Sequence, residues 1–379
     1  MINILIAGDF YIADNRMNQP LIDSSIRDLF VSADYRIVNL ETPLTQDEPK
    51  NRILKTGPHL RSSSKTMIPY LKQLKVNLVT LANNHILDYG AEGLANTFDS
   101  LQKDEINYVG AGKNLNEASK PFSIEREGMK VAILNFTENE WSVAENNMPG
   151  ANPLDVIDNV NQIKAAKSTH DKVVCIIHGG HEYYHLPSPR MVKQYRFYAE
   201  NGADAIIGHH THCIGGYDIY RDVPIIYSLG NFLFTLNSDH EEWYIGLLAQ
   251  INIVKGQPVR FGILPVQQKK GSFDVSLLAG EEKERVTQQM HEICGVIANE
   301  TILSQNWNSF VNQKTKQYLN SLSPTNAISN WYIRTILNRF GISRIFLNKR
   351  NLKLMLNLIR CEAHLDNVKA TIKKILDRI

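Results

Sequence analysis

Ala203-Asp204-Ala205-Ile206-Ile207-Gly208-His209-His210-Thr211-His212 is the stretch on which the fold turns. A short apolar run stops at a glycine, and three histidines follow within four residues. The run has the pattern of a buried strand. Glycine and clustered imidazoles are an odd way to close a core. They are a natural way to hold a metal at the mouth of a sheet, because neutral imidazole is the commonest protein ligand for transition metals.

Outward from this stretch the same pattern recurs at residues 2–7, 35–40, 77–81, 131–136, 173–177 and 224–227. Each run is short, mostly rich in Ile, Val or Leu, and bounded by Gly, Asn, Asp or His. Helical stretches lie between several of them: 64–74, which Pro69 threatens to interrupt, 91–104, and 188–202 with Gly202 as the C′ residue. Strands alternating with helices predict α/β layers around a largely parallel or mixed sheet. From about Gly280 the texture changes. Residues 281–299 and most of 331–379 are expected to be helical, with Pro324 and Gly341 as punctuation, and Lys and Arg outnumber Asp and Glu from 327 onward. This predicts one domain over 1–270, a boundary near 270–280, and a helical region over 280–379, with no repeat or low-complexity segment.

The 379 residues suffice for one large domain or two ordinary ones, and 43% hydrophobic with 21% charged residues exclude global disorder. A net charge of +2 points to no particular partner, and no nucleic acid is expected. Cys175, Cys213, Cys294 and Cys361 are far apart and form no CxxC, which suits a reducing compartment without a disulfide framework. The opening Met-Ile-Asn-Ile-Leu-Ile-Ala-Gly-Asp-Phe has no basic n-region or cleavage site and is too short to span a bilayer. It is expected to be the first strand. The expected address is cytoplasmic, including the membrane surface.

In open α/β sheets ligands bind beyond the carboxyl ends of strands. Here those ends carry Asp9; Glu41; Asn83-Asn84-His85 followed by Asp88; His178-Gly179-Gly180-His181-Glu182; the histidine cluster; and Asn231. Taken singly, Asp9 is a turn or cap residue, Glu41 a solvated carboxylate, and His178 a satisfied core histidine. Taken together they form a set of carboxylate, amide and imidazole ligands. That set suits Mn, Fe, Zn or Co, with carboxylates able to bridge two ions.

These motifs resemble the CapA family of poly-γ-glutamate capsule biosynthesis proteins, within the calcineurin-like metallophosphatase superfamily. The resemblance rests on Gly8-Asp9, Asn39-Leu40-Glu41-Thr42-Pro43, Leu81 to Gly90, His178 to Tyr183, Gly208 to His212 and Tyr227 to Phe232, in that order, and covers roughly residues 1–265. It implies a four-layer α-β-β-α sandwich with a helical C-terminal extension, and one or two divalent metal ions (Mn, Fe or Zn). It implies that Asp9 and His212 bind the first metal, that Asn84, His178 and His210 bind the second, and that Glu41 bridges. His85 would be the general acid or oxyanion stabiliser, with Asp88 in the catalytic set. Asn83, His181, Glu182, His209 and Asn231 would line the rim as substrate-binding residues. Two positions depart from the pattern: Tyr11 stands where the superfamily has a metal-binding histidine, and Gly179 where the family commonly has tryptophan.

Two functions compete on this basis. One is a metal-dependent hydrolase or phosphoesterase acting on a phosphoester or anionic polymer in capsule or envelope synthesis. The other is a non-catalytic polyanion-binding or scaffolding component that engages other capsule-machinery proteins. A further expectation concerns Arg334, Arg339, Arg344, Lys349, Arg350, Lys353 and Arg360, interleaved with Ile, Leu and Phe. They form either a solvated basic face on a helix pair covering the metal domain or an amphipathic face for an acidic polymer or for peripheral contact with an anionic membrane.

Overall fold

The computed structural model describes residues 1–55, 57–322, 325, 328, 330–342 and 347–376; Pro324 and Arg344, and the side chain of Arg360, lie outside the described set. Two compact units result, Met1–Ser304 and Gln305–Ile379.

The first unit is a four-layer sandwich. Among the described residues one sheet joins eight strands: β1 (Ile2–Tyr11), β2 (Tyr35–Leu40), β3 (Leu78–Thr80), β4 (Asn107–Val109), β13 (Asn231–Phe234), β14 (Ile245–Ile253), β15 (Arg260–Gln268) and β16 (Val275–Leu277). The other joins six: β6 (Phe122–Arg126), β7 (Met129–Thr137), β9 (Lys172–His178), β10 (Ala205–His209), β11 (Tyr217–Tyr220) and β12 (Val223–Ile226). A small ribbon pairs β5 (Ala111–Gly112) with β8 (Gly150–Ala151), against the short helix α4 (Leu115–Ala118). The first sheet runs β16-β15-β14-β1-β2-β3-β4, with β13 alongside β1. Its β1 to β4 half is parallel, while β14, β15 and β16 are antiparallel additions. The second runs β11-β12-β10-β9-β7-β6, parallel at its centre and antiparallel at both edges.

The pleat explains the layers. Alternate side chains of a strand face opposite ways. Ile2, Ile4 and Ile6 of β1 meet Val131 and Ile133 of β7 and Val174 and Ile176 of β9 between the sheets. Leu5 and Ala7 face outward onto α1 (Ser24–Ser32), α2 (Ser64–Gln73) and α3 (Gly90–Lys103), through Phe30, Leu71 and Leu94. On the far side Ala132, Leu134 and Phe136 of β7 meet Ile163 of α5 (Val156–Lys167) and Tyr195 and Tyr198 of α6 (Pro189–Glu200). Strands buried on both faces are continuously apolar, which is why these runs stood out in the sequence. Each fully buried Ile or Leu contributes about 1.5–3 kcal/mol of transfer free energy.

Three expectations change in detail. The sheet expected from the apolar runs is two mixed sheets. Pro69 lies inside an unbroken α2, at a position whose missing hydrogen bond would have gone to the exposed Lys65 turn. The compact unit also continues past 270–280 to Ser304. Helix α7 (Gly280–Ile297) places Val286 and Met290 in the inter-sheet core and Ile293 and Ile297 in the outer one. The change of texture there marks a switch from strands to a helix that still packs on the sandwich.

The second unit is helical. It holds most of α8 (Glu300–Leu322), then α9 (Trp331–Arg339), α10 (Lys349–Arg360) and α11 (Glu362–Leu376), the last two packed together. Among the described residues no helix is long and apolar enough to cross a membrane.

Candidate metal centre

The carboxyl ends of β1, β2 and β3 face those of β9 and β10, and the polar residues cluster in the cleft between. Two glycines let the chain close there. A Cβ on Gly8 would fall 2.0 Å from Gly230 O, and one on Gly208 would fall 2.0 Å from Tyr227 O. The segment from Tyr227 to Asn231 thus crosses between the sheets against both: Asp9 N–H donates to Gly230 O at 3.0 Å and Leu229 N–H to Gly208 O at 3.0 Å.

After Gly208 the backbone turns tightly, with His210 at φ +92° and His212 at φ +55°. Non-glycine residues hold such angles only where surroundings over-determine them. Here His210 N–H donates to Asp9 Oδ2 at 3.2 Å, and His212 Nδ1 lies 2.9 Å from Asn231 Oδ1. Since that amide Nδ2 donates to Trp243 O at 3.0 Å, its oxygen faces His212 and takes the Nδ1 proton, which leaves Nε2 free toward the cleft.

Two groups of ligand atoms converge, and both contain Glu41: Glu41 with His178 and His210, and Asp9 with Glu41 and His212, the atoms of each group lying within 4.8 Å of one another. Glu41 Oε1 is 3.7 Å from His178 Nε2 and 3.9 Å from His212 Nε2. Asn84 joins the first group. Its Oδ1 is 3.1 Å from His178 Nε2, while its Nδ2 donates to Glu140 Oε2 at 3.1 Å. Glu140 therefore orients the amide so that the oxygen, the atom that could ligate a metal, points inward.

The charges are out of balance without a cation. Both Glu41 oxygens are buried and have no hydrogen-bond partner. Burial, with the charges of Asp9, Glu182 and Asp88 around it, pushes the Glu41 carboxyl well above the ordinary carboxylate range. Asp9 goes the other way: burial would raise it, but His209 and then His178 and His212 hold it below that range. His209 Nδ1 lies 3.3 Å from Asp9 Oδ1, close enough for attraction although its ring nitrogens make no aligned hydrogen bond. Burial also pulls His178 and His212 below the ordinary imidazole range. Neutral imidazoles and a carboxylate with bare oxygens are the state in which a divalent ion is bound most readily.

Beside this cluster, His85 Nδ1 is 2.7 Å from Asp88 Oδ2 and its Nε2 faces the cleft, 4.0 Å from Glu41 Oε1. Asp88 is fully buried. Of the residues expected on the rim, Glu182 is exposed and His181 half-buried. The other three lie behind the ligands. Asn83, 0% exposed, spends its amide on Leu40 O at 2.9 Å and on the His85 N–H at 3.1 Å; His209, 1% exposed, backs Asp9; Asn231, 1% exposed, orients His212. All three are buried in this structure: the amides of Asn83 and Asn231 are spent on the protein, while both ring nitrogens of His209 lack a hydrogen-bond partner. Tyr11 points its ring at Phe234, 5.2 Å away, and burial pushes its hydroxyl up to about 12. It belongs to neither ligand group.

The structure adds residues that motif reading passed over. Asn39 Nδ2 reaches both Asp9 Oδ1 at 2.8 Å and His178 Nδ1 at 3.1 Å. Asn39 stood inside a quoted motif, and its place two residues before Glu41, hence on the same side of an extended chain, was the signal. Lys55 and Glu140 sit in loops without any such pattern.

A family model described as "Bacterial capsule synthesis protein PGA_cap" matches residues 4–236. The chain belongs to this family. All of Asp9, Glu41, Asn84, His178, His210 and His212 fall within the PGA_cap match. Relatives include the PGA biosynthesis protein CapA of Bacillus subtilis, 32% identical over 64% of this chain and 63% of that protein, and the capsule biosynthesis protein CapA of Bacillus anthracis, 29% identical over 73% and 68%. A probable polyglutamine synthesis accessory protein of Mycobacterium tuberculosis is 30% identical over 53% of this chain and 55% of its own length. The chain thus spans a little under two thirds of the B. subtilis protein's length.

Proposed function

We propose that the protein is a metal-dependent hydrolase, of phosphoesterase type, that works on a phosphoester or anionic polymer in capsule or envelope polymer biosynthesis. The observation that carries the proposal is Glu41: a fully buried carboxylate with two unpartnered oxygens, shared by two groups of ligands. On this reading Asp9, Glu41 and His212 hold one divalent ion and Glu41, Asn84, His178 and His210 the other. Oxygen and imidazole donors without thiolate favour Mn, Fe or Zn. Such ions supply Lewis acidity toward a phosphoryl or acyl oxygen and lower the pKa of water.

The chain's own residues would do the rest. His85 Nε2 takes or gives the proton at the reacting centre, and Asp88 fixes the ring through Nδ1. The exposed Glu182 at the mouth penalises anionic groups that approach without meeting a metal. The capsule setting follows from the named relatives. The discriminating experiment is to load the purified protein with Mn, Fe or Zn, determine the metal content, and assay phosphate mono- and diesters and γ-glutamyl polymers. One or two ions per chain with turnover supports the proposal. Bound metal without turnover turns the reading to a polyanion-binding component, and no metal at all removes both.

The second unit bears on location. Residues 327–379 carry eleven Lys and Arg against three Asp and Glu. Trp331, Tyr332 and Phe340 are exposed, as are Leu354, Leu356, Leu358 and Ile359 of α10. We propose that this basic, aromatic-rich unit contacts an anionic membrane surface peripherally.

A further inference from the structure

The loop after Glu41 returns to the centre at Lys55. Its side chain is only 2% exposed, which an ammonium tolerates only when paired. Its partners are Asp88, whose Oδ1 accepts from Nζ, and His85, whose Nδ1 lies 3.2 Å from Nζ. The other Asp88 oxygen accepts Leu60 N–H at 2.6 Å and lies 2.7 Å from His85 Nδ1. The loop is pinned to the same segment elsewhere: Ile53 N–H donates to Asp88 O at 3.2 Å and Arg52 Nε to the Tyr89 hydroxyl at 3.1 Å.

One ring nitrogen cannot both accept from an ammonium and donate to a carboxylate. If Lys55 donated to His85 Nδ1, that nitrogen would carry a lone pair and face a carboxylate lone pair at 2.7 Å. A proton on Nδ1 instead makes a charge-assisted bond of ordinary length to Asp88. The ammonium is then satisfied by Asp88 Oδ1, and the carboxylate remains a pure acceptor.

We propose that Lys55 is a positioning residue: by occupying Asp88 Oδ1 it keeps Asp88 an acceptor for His85 Nδ1–H, so that His85 presents an unprotonated Nε2 to the cleft. This rests on the metallohydrolase reading only for its catalytic consequence. The arrangement of Lys55, Asp88 and His85 stands without it. When the cation is removed, a buried carboxylate with no counter-charge is expected to hold a proton. It can then donate to Nδ1, and the imidazole proton moves to Nε2.

The test is side-chain NMR of metal-free protein labelled with nitrogen-15 in histidine, with His85 assigned from His85→Gln. The wild type should show the Nδ1–H tautomer. Lys55→Met should shift the tautomer ratio toward Nε2–H by about tenfold or more, and Lys55→Arg should restore it. If Lys55→Met fails to fold, Lys55→Gln makes the same comparison, since its amide fills the space without the charge. A folded Lys55→Met or Lys55→Gln protein that keeps the wild-type tautomer overturns the proposal, even if its melting temperature falls. In metal-loaded protein with turnover, Lys55→Met should lower kcat with KM and metal content unchanged, and Lys55→Arg should recover most of the loss. A wild type without turnover would count against the hydrolase and leave the tautomer result to decide on Lys55.

Discussion

At the scale of single residues, Glu41 controls what the centre does without metal. Its carboxyl is held above the ordinary value of 4.5, so the folded chain binds that proton more tightly than the unfolded one. Its contribution to stability is complete below the ordinary value and is lost as pH rises through the folded value. His178 and His212, held below 6.5, work oppositely: their contribution is complete above that value and is lost as pH falls. Metal-free protein should therefore lose stability as pH rises above 4.5, by at most about 1.4 kcal/mol per pH unit for this one proton. Glu41→Gln should flatten that loss, and chemical denaturation at several pH values checks it; parallel curves for variant and wild type would exonerate Glu41. His85 makes a different prediction. Because it is in neither ligand group, His85→Ala should cost about 10²–10⁴ in kcat with metal content intact. Asp9, Glu41 and His178 were legible in the sequence because each follows an apolar run. Lys55 was not, since a lysine in a polar loop looks solvated until the fold shows it buried.

At the scale of elements, the centre depends on where strands stop. The register that pairs His209 with His178 sets β9 and β10 to end together, and the next residue, His210, then brings its Nδ1 to 3.0 Å from His178 Nε2. The segment from Tyr227 to Asn231 had looked like a source of one more ligand. It acts as a backbone tie between sheets, and Asn231 serves His212. That role was invisible in the sequence, because close backbone approach leaves only glycines as its trace. Gly208→Ala should displace the Tyr227 carbonyl and cost about 1–3 kcal/mol or more, read as a lower melting temperature, together with weaker metal binding. A stable, fully metal-binding Gly208→Ala protein would contradict the close approach. Asn39→Ala, which strips a hydrogen bond from Asp9 and from His178 at once, should weaken metal affinity about 10–100-fold in a calorimetric titration. The antiparallel strands β14 and β15 bring no polar residue to the site, so the apolar run Ile245–Ile253 carries no sign of its place beside β1.

At the scale of the molecule, the two units make separate predictions. Co-sedimentation of the full chain with vesicles should show binding to anionic lipid and little to neutral lipid, weakened by salt and by replacing Arg334, Lys349, Arg350 and Lys353 with glutamine. Equal binding to both vesicle types would remove the electrostatic contact. For the first unit, a saturating ion at about a hundred times its dissociation constant should add about 2.7 kcal/mol of stability, seen as a rise in melting temperature that chelator reverses. The ligands also divide by layer. Asp9, Glu41 and Asn84 are carried by the first sheet's strand ends, and His178, His210 and His212 by the second's. An ion held between them would be a rivet through both halves of the sandwich. Chelation should accordingly speed amide exchange in β1 and β2 and in β9 and β10 together, as two plates that have lost their fastening at one edge.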